Sequence, residues 1–509
     1  MNLIGSIIKK GLDLKAQFED ENPDYREAQR GELYQLLNKA KGTSIGLYYN
    51  FESILESDDL IATFQERLPL VEYHQINQQW WQQTLKYPNI TWPGKPDFLA
   101  KSSGTTGKKP KRMPVTEDLL SSIRKVSIAQ LTSISNYDLP EDFFEHELMA
   151  LSSATSLEKV DDHQEGEISA ITVSNIPFWF EGAYRPGKEI SNIQDWDERV
   201  ERIAKEAPNW KVGALSGIPS WVLLMLKRII EVNEVDTIHD IWPGLRVYTP
   251  GGVAFEPYRE KFEAIFGREV HILDTYLASE GFFAYTNRPG TLSMKLAYQH
   301  GIFFEFVPFN EEGFDDQANL LDDPKVLTLD EVEEGVNYAL IITTPAGAYR
   351  YMIGDLVSFT NKERAEIKIT GRTKHFLNVV GSQLSEDKMD EALADVQEKL
   401  GVNTEEYTLA AVENKEGNFY HEWILGVEEM NQATNEEVAQ RIDDYLSNNN
   451  KNYGVARKKA LEGMKVYQVS IDRFYEYQAQ NRKKGGQTKT KKLLKQEDFL
   501  KFRDFVTQG

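Results

Sequence analysis

The 509-residue chain contains no cysteine. Disulfides, thiolate nucleophiles and cysteine-held zinc are excluded together. It also lacks any run of about eighteen apolar residues, the least that spans a bilayer as a helix. The opening stretch MNLIGSIIKKGLDLKAQFED has its lysines after a short apolar patch, so it reads as an amphipathic helix rather than a secretory leader. A cytoplasmic protein without membrane partners is expected. Positive charge is scarce: 58 Lys and Arg against 80 Asp and Glu, a formal net charge of −22. So acidic a chain repels a polyphosphate backbone, and nucleic acid is not an expected partner. The eight histidines show no HxxxH-like spacing, which argues against a histidine metal cluster. No GxSxG nucleophile motif occurs.

What is present is a globular composition, 40% hydrophobic with 25 Phe, 23 Tyr and 9 Trp. The length suits two to four domains. Residues 1–95 are mainly helical in pattern, interrupted at Pro69. After Thr116, a good N-cap, TEDLLSSIRKVSIAQLTSI reads as a helix. In the middle, the short apolar runs HELMALSSAT, ISAITVSNIPF, KVGALSGIPS, LRVYTPGG and EVHILDTYLASEG are interleaved with helical SWVLLMLKRIIEVN and FEPYREKFEAIFG. This βαβ rhythm predicts an α/β domain with largely parallel strands, whose ligands sit at the strands' carboxyl ends. From LSMKLAYQHGIFFEFVPF to NYALIITTPAGAYRYMIGDLVSFT, strands with acidic loops predict an antiparallel subdomain. A second α+β unit follows a boundary near Gly371.

Four segments carry candidate chemistry. KSSGTTGKKPKRMPVT (Lys101–Thr116) offers hydroxyls, glycines and four cations within Lys108–Arg112. Hydroxyls and backbone N–H groups donate to phosphate oxygens, and glycine admits close approach. The Walker spacing is absent, and a polar surface loop is the plain alternative. In DTYLASEG, Asp274 or Glu280 suits Mg²⁺ or a solvated strand-end turn. In YRYMIGDLV, Asp355 suits ribose hydroxyls or an ordinary Gly-Asp turn. The tail NRKKGGQTKTKKLLK places seven cations between Arg482 and Lys495 around Gly485-Gly486, fitting a lysine that swings onto a phosphate better than a nucleic-acid patch.

The order of these segments is more specific than any one of them. SSGTTGKKPKRMPVT, DTYLASEG, AGAYRYMIGDLV, GRTK and the late QTKTKK resemble the auxin-responsive acyl-acid amido synthetases of the adenylate-forming superfamily. GGVAFEPY, GIPSW and SEDKMDEAL are similar to bacterial members. The resemblance runs from about Ser102 to Lys489. It implies a large N-terminal α/β domain with a β-barrel-like subdomain (1–370) and a small mobile α+β C-terminal domain (371–509). It implies ATP and Mg²⁺ as cofactors, a carboxylic acid and an amino acid as substrates, and a monomer. Carried over, Ser102, Ser103, Gly104, Thr105, Thr106 and Gly107 hold the ATP phosphates, and Gly251 and Gly252 border adenine. Tyr276 lies near adenine or the acyl phosphate, and Glu280 is the Mg²⁺ ligand. Asp355 holds the ribose, Arg372 contacts the nucleotide, and Lys374 sits at the hinge. Lys489 reaches the α-phosphate, and Lys388 matches the lysine of the family's SDKTDEA. Ala278 stands where the family has a serine. Met352 stands where it has an arginine, which leaves one charge missing beside the site. A coenzyme A ligase and a degenerate nucleotide-binding protein are the alternatives.

Overall fold

The computed structural model describes residues 24–101, 111–151, 157–160, 163–174, 183–193, 195–251, 255–315, 319–373, 384, 386–414, 419–428, 433–450, 453–454, 457, 461–480 and 492–507. Among these residues the strands form four sheets.

The predicted parallel sheet is present. Its order is β6 (Tyr184–Arg185), β3 (Glu147–Leu151), β7 (Val212–Gly217), β8 (Val247–Pro250) and β9 (His271–Ile272), and every neighbouring pair is parallel. Helix Pro219–Asn233 covers it with Val222, Met225, Leu226 and Ile229, the i, i+3, i+4, i+7 stripe of an amphipathic helix. One expectation fails nearby. The β-branched run Ile168–Ser174 is a helix, because Ile168 and Ile171 three residues apart meet Ala100, Val115 and Leu119 in a shared core. Tertiary packing outweighs the strand propensity of its residues. The helix after Thr116 forms as read, over Glu117–Ser133, with the Thr116 hydroxyl accepting from Leu119 N at 3.1 Å.

A smaller mixed sheet lies beside it. β1 (Phe98–Lys101) and β2 (Arg112–Val115) are antiparallel, and their last pair is Lys101 with Arg112. β5 (His163–Gly166) runs parallel to β1 on its other side, and β4 (Glu158–Val160) completes the order β2-β1-β5-β4.

The third sheet is antiparallel throughout. Its order is β10 (Thr275–Ala278), β11 (Gly281–Tyr285), β12 (Met294–Leu296), β16 (Glu366–Arg372), β15 (Ala348–Asn361), β14 (Asn337–Thr344) and β13 (Phe303–Pro308). The N-terminal helices pack on it. Gln29 of helix Tyr25–Ala40 is buried, donating to Tyr298 O and Ile302 O while accepting from Phe304 N. All its polar capacity toward the sheet is used, which is what makes a buried amide tolerable. Arg350 does similar work. It has a positive φ of 48°, forms a buried ion pair with Glu305 at 3.1 Å, and donates to Gln65 O and Leu68 O at 2.6 Å each. The arginine of YRYMIGD is therefore a fastener for helix Leu60–Arg67.

The fourth sheet, β17 (Thr404–Glu413), β18 (Phe419–Val427) and β19 (Leu461–Ser470), carries helices Glu386–Leu400, Asn435–Asn449, Ile471–Gln480 and Gln496–Thr507. Its two apolar clusters contain only residues from Leu384 onward, and the other six contain only residues up to Ile367.

Candidate active site

EVHILDTYLASEG reads as one strand, but the chain divides it. β9 ends the parallel sheet at Ile272 and β10 opens the antiparallel sheet at Thr275. The corner is fixed by local bonds: Asp274 Oδ1 accepts from Thr275 N at 2.9 Å, Asp274 N donates to the Thr286 hydroxyl at 3.1 Å, and Asp274 O accepts from Thr286 N at 2.9 Å. Burial pushes the Asp274 carboxyl up to about 7. The Thr275 hydroxyl donates to Pro250 O at 2.8 Å, and Gly251 follows directly, its Cα facing that hydroxyl. The carboxyl end of a parallel strand is thus bolted to the first strand of the next sheet.

Two residues on, Tyr276 turns its ring into the antiparallel sheet's core, edge-on to Phe283 at 5.0 Å. Its hydroxyl donates to Asp355 Oδ2 at 2.6 Å, across 79 residues of sequence. Burial, then the nearby Asp355 charge, hold this phenol well above its ordinary value, so it remains a donor. Asp355 lies on β15, buried, directly opposite Arg372 in the β15–β16 ladder. Arg372 Nε donates to Asp355 Oδ1 at 2.6 Å, while half of the arginine side chain stays open to solvent. The Asp355 charge raises the proton affinity of Arg372. Gly354 has φ +92°, a conformation that favours glycine, and its carbonyl accepts from Thr373 N at 2.8 Å.

Glu280 sits in the turn between β10 and β11. Its Oε1 accepts from the Tyr351 hydroxyl at 3.3 Å. Burial pushes its carboxyl up to about 7, the Lys111 charge opposes this, and Asp355 reinforces it. Lys111 lies 5.2 Å from the Tyr73 ring centroid, and the Tyr73 hydroxyl accepts from Arg112 N at 2.8 Å.

The structure therefore brings Tyr276, Glu280, Asp355 and Arg372 into one electrostatically coupled group, with Gly251 beside Thr275. Lys388 is on helix Glu386–Leu400, paired with Glu391 one turn on at 2.5 Å. Ser102, Ser103, Gly104, Thr105, Thr106, Gly107, Gly252, Lys374 and Lys489 lie outside the described residues. Tyr351, Tyr73 and Lys111 were not singled out by sequence. Tyr351 had a signal, since it shares a strand face with Asp355 four residues on. Met352 packs on the other face with Val307, Phe314 and Leu356, so the expected missing charge is not beside Asp355. Trp221, of GIPSW, packs in the core of the parallel sheet, 4.5 Å from Trp196 between ring centroids.

Glu280 offers the hard oxygen donor Mg²⁺ takes. Among the described residues no group of three or more His, Cys, Asp or Glu side chains is arranged to hold a metal ion. A divalent cation here would complete its shell with substrate oxygens, the ordinary habit of Mg²⁺ in phosphate sites. No helix of the described residues is long and apolar enough to cross a membrane.

Comparison with known proteins gives concordant results. Family models described as the GH3 family N-terminal, central and C-terminal domains match residues 14–174 with 155–271, 296–372, and 387–498. The indole-3-acetic acid-amido synthetase GH3.2 of Arabidopsis thaliana is 28% identical over 219 residues, 40% of each chain. The jasmonoyl–L-amino acid synthetase GH3.5 of Oryza sativa subsp. japonica is 33% identical over 136 residues, 25% of this chain and 23% of that one. These alignments span less than half the length of either relative. The solved AtGH3.15 acyl acid amido synthetase in complex with 2,4-DB shares the fold, with TM-score 0.76, 17% identity and coverage of 98% of this chain and 96% of that one. A 2-hydroxyisobutyryl-CoA ligase is more distant, with TM-score 0.59, 14% identity and coverage of 95% and 92%.

Proposed function

The chain belongs to the GH3 family, and from that premise we propose that it is an ATP-dependent acyl-acid amido synthetase. It activates a carboxylic acid as its acyl-adenylate and transfers the acyl group to the amine of an amino acid. A carboxylate is a poor electrophile because oxide is a poor leaving group. In the first step a carboxylate oxygen attacks the α-phosphorus of ATP, and the bond to pyrophosphate breaks. In the second the amine nitrogen attacks the acyl carbon, AMP departs, and the nitrogen gives up one proton.

The observation that carries this reading is the Tyr276–Asp355–Arg372 junction, with Glu280 beside it, at the end of a parallel strand. Asp355 keeps lone pairs for two ribose hydroxyls after accepting from Tyr276 and Arg372, since a carboxylate has about four acceptor sites. Arg372, half exposed, has guanidinium nitrogens left to face the nucleotide. Tyr276 flanks adenine or the acyl phosphate, with Gly251 and Gly252 at its border. Ser102–Gly107 cradle the phosphates. Lys489 neutralises charge developing at the α-phosphorus, and Lys388 assists from the C-terminal domain. Glu280 would hold Mg²⁺, which would supply positive charge against the phosphate oxygens. The enzyme works as a cytoplasmic monomer on small molecules.

The same reading divides the chain at Gly371 into a large domain and a small mobile one, with Lys374 at the hinge. What supports it is the apolar packing, since among the described residues no buried cluster joins the two sides. A unit without a shared core can reorient at moderate cost.

The test is ATP–pyrophosphate exchange across a library of carboxylic acids, followed by mass spectrometry of products formed with amino acids or with coenzyme A. Acid-dependent exchange and an amide product are expected, and Lys489→Ala should depress exchange more than ATP binding. Folded protein without acid-dependent exchange refutes adenylation. A thioester as sole product makes the enzyme a coenzyme A ligase.

A further inference from the structure

We propose that Glu165 is a positioning residue for ATP binding, its buried carboxylate clamping together Lys101 and Arg112, the two ends between which residues 102–111 are strung. The inference rests on the reading that Ser102–Gly107 take the ATP phosphates. Lys101 closes β1 and Arg112 opens β2, and the two are partners in the last rung of that antiparallel ladder. Both are cations, so their side chains repel where the strands must stay together. Glu165 comes from the strand on the far side of β1, opposite Leu99. Its Oε2 lies 2.9 Å from Lys101 Nζ and 3.3 Å from an Arg112 guanidinium nitrogen. Its Oε1 lies 3.1 Å from His163 Nε2, and Glu158 adds a second carboxylate to Lys101 at 2.6 Å.

The burial is uneven. The Glu165 side chain is 1% exposed, against 26% for Lys101, 56% for Arg112 and 68% for Glu158. One buried carboxylate on β5 thus reaches outward to a cation on the neighbouring strand β1 and to another on β2, the strand beyond it. Burial raises the Glu165 carboxyl, but the bonds from Lys101 and His163 and the Arg112 charge outweigh it, and it stays below the usual carboxylate range. An apolar residue of similar volume commonly serves stability as well as a buried ion pair does. What an apolar residue cannot do is fix where two cationic strand ends lie. A phosphate-holding loop works by having its donors already in place, and small displacements of such groups are expensive.

Three variants decide the matter. Glu165→Gln keeps shape and removes charge. Arg112→Met, at a half-exposed position, releases one end of the clamp should Glu165→Gln fail to fold. Thr105→Ala tests the loop itself. We expect Glu165→Gln to raise the KM for ATP about tenfold, the scale of one lost charge-assisted bond. KM for the acid should move less than about twofold, and Glu165→Asp should restore part of the ATP effect. Arg112→Met should give a smaller shift of the same kind. Wild-type ATP parameters in folded Glu165→Gln or, failing that, in Arg112→Met, with impaired ATP binding in Thr105→Ala, overturn the clamp and leave the loop reading intact. A silent Thr105→Ala overturns the loop reading and the clamp with it. Equal losses in KM for ATP and for the acid also overturn the clamp, because they mark general destabilisation.

Discussion

A proton belongs to the contact between the two proposed domains, and its effect on their docking can be measured. Lys261, on helix Arg259–Ile265, lies 2.5 Å from Glu405 of β17, and both side chains are about nine-tenths buried, 8% and 11% exposed. Lys227, on helix Pro219–Asn233, pairs with Glu428 at 3.1 Å in a more open position. Gln397 donates to Glu260 at the same seam. Glu405 and Glu428 lie close enough for each carboxyl to shift the other's proton affinity, an arrangement that favours a proton held between them over two full charges. Burial and the Glu428 bond push Glu405 up, while the bonds from Glu405 and Lys227 hold Glu428 down. Glu406 and Asp472 add negative charge nearby, felt by the partly buried Tyr475 phenol.

The sign follows. Docked, Glu405 keeps a proton to higher pH than it would in solvent, so the docked state binds the extra proton. Docking is therefore favoured as pH falls toward the ordinary carboxylate range and weakens as pH rises through the raised value. Glu428 acts only at more acid pH. One proton changes the equilibrium by at most about tenfold per pH unit, ~1.4 kcal/mol. The assay is energy transfer between dyes on Glu52→Cys and Asp444→Cys, two exposed positions in a chain with no other cysteine. Between pH 6 and 8 the docked fraction should fall. Glu405→Gln, which donates without needing a proton, should flatten the response, and Lys261→Met should lower docking at every pH. A flat wild-type profile, or an unchanged slope in Glu405→Gln, refutes the shared proton.

Asp355→Asn removes the charge that Arg372 and Tyr276 both address, and should weaken ATP binding by about 2–3 kcal/mol, read by calorimetry. Tyr276→Phe takes only one donor, so its loss should be nearer ~1 kcal/mol. His421, fully buried on β18 with no hydrogen-bond partner at either ring nitrogen, is pushed down to about 3 by burial and the Arg457 charge. The unfolded state protonates this ring first, so stability should be lost as pH falls below about 6.5, by ~2 kcal/mol between pH 7 and 5. Hydrogen exchange across β18 should report that loss, and His421→Phe should remove it.

Much of this was legible because local rules were obeyed. Thr116 caps its helix, the apolar runs alternate with helices, and the parallel sheet follows from them. The candidate site residues were chosen through the order of short motifs, and four of them, Tyr276, Glu280, Asp355 and Arg372, lie together in the structure. What stayed hidden has one physical character: it depends on which face, or which sheet, a residue joins. EVHILDTYLASEG carries no mark of the corner at Leu273–Asp274 where the chain changes sheets, because both halves are extended and apolar. Arg350 and Asp355 stand five residues apart in one motif, yet the first fastens a helix through Glu305 and the second faces Tyr276. Met352 looked like a charge lost from the site, but lies on the other face.

Glu165 shows the same limit from the other direction. HQEG is a short polar stretch that drew no expectation from the sequence, and its composition gives no reason to think the glutamate buried. Only pairing with β1 turns it inward, between two cations that the sequence assigned to a basic loop. The cations nearest a candidate phosphate site thus divide between two tasks: Lys101 and Arg112 are engaged by Glu165, and Lys111 acts on Glu280. If that division holds, Lys111→Met should alter the pH dependence of activity through Glu280, and Arg112→Met should alter affinity for ATP. Side chains in adjacent positions would then have separable phenotypes, and identical ones would show that the basic run acts only as bulk charge.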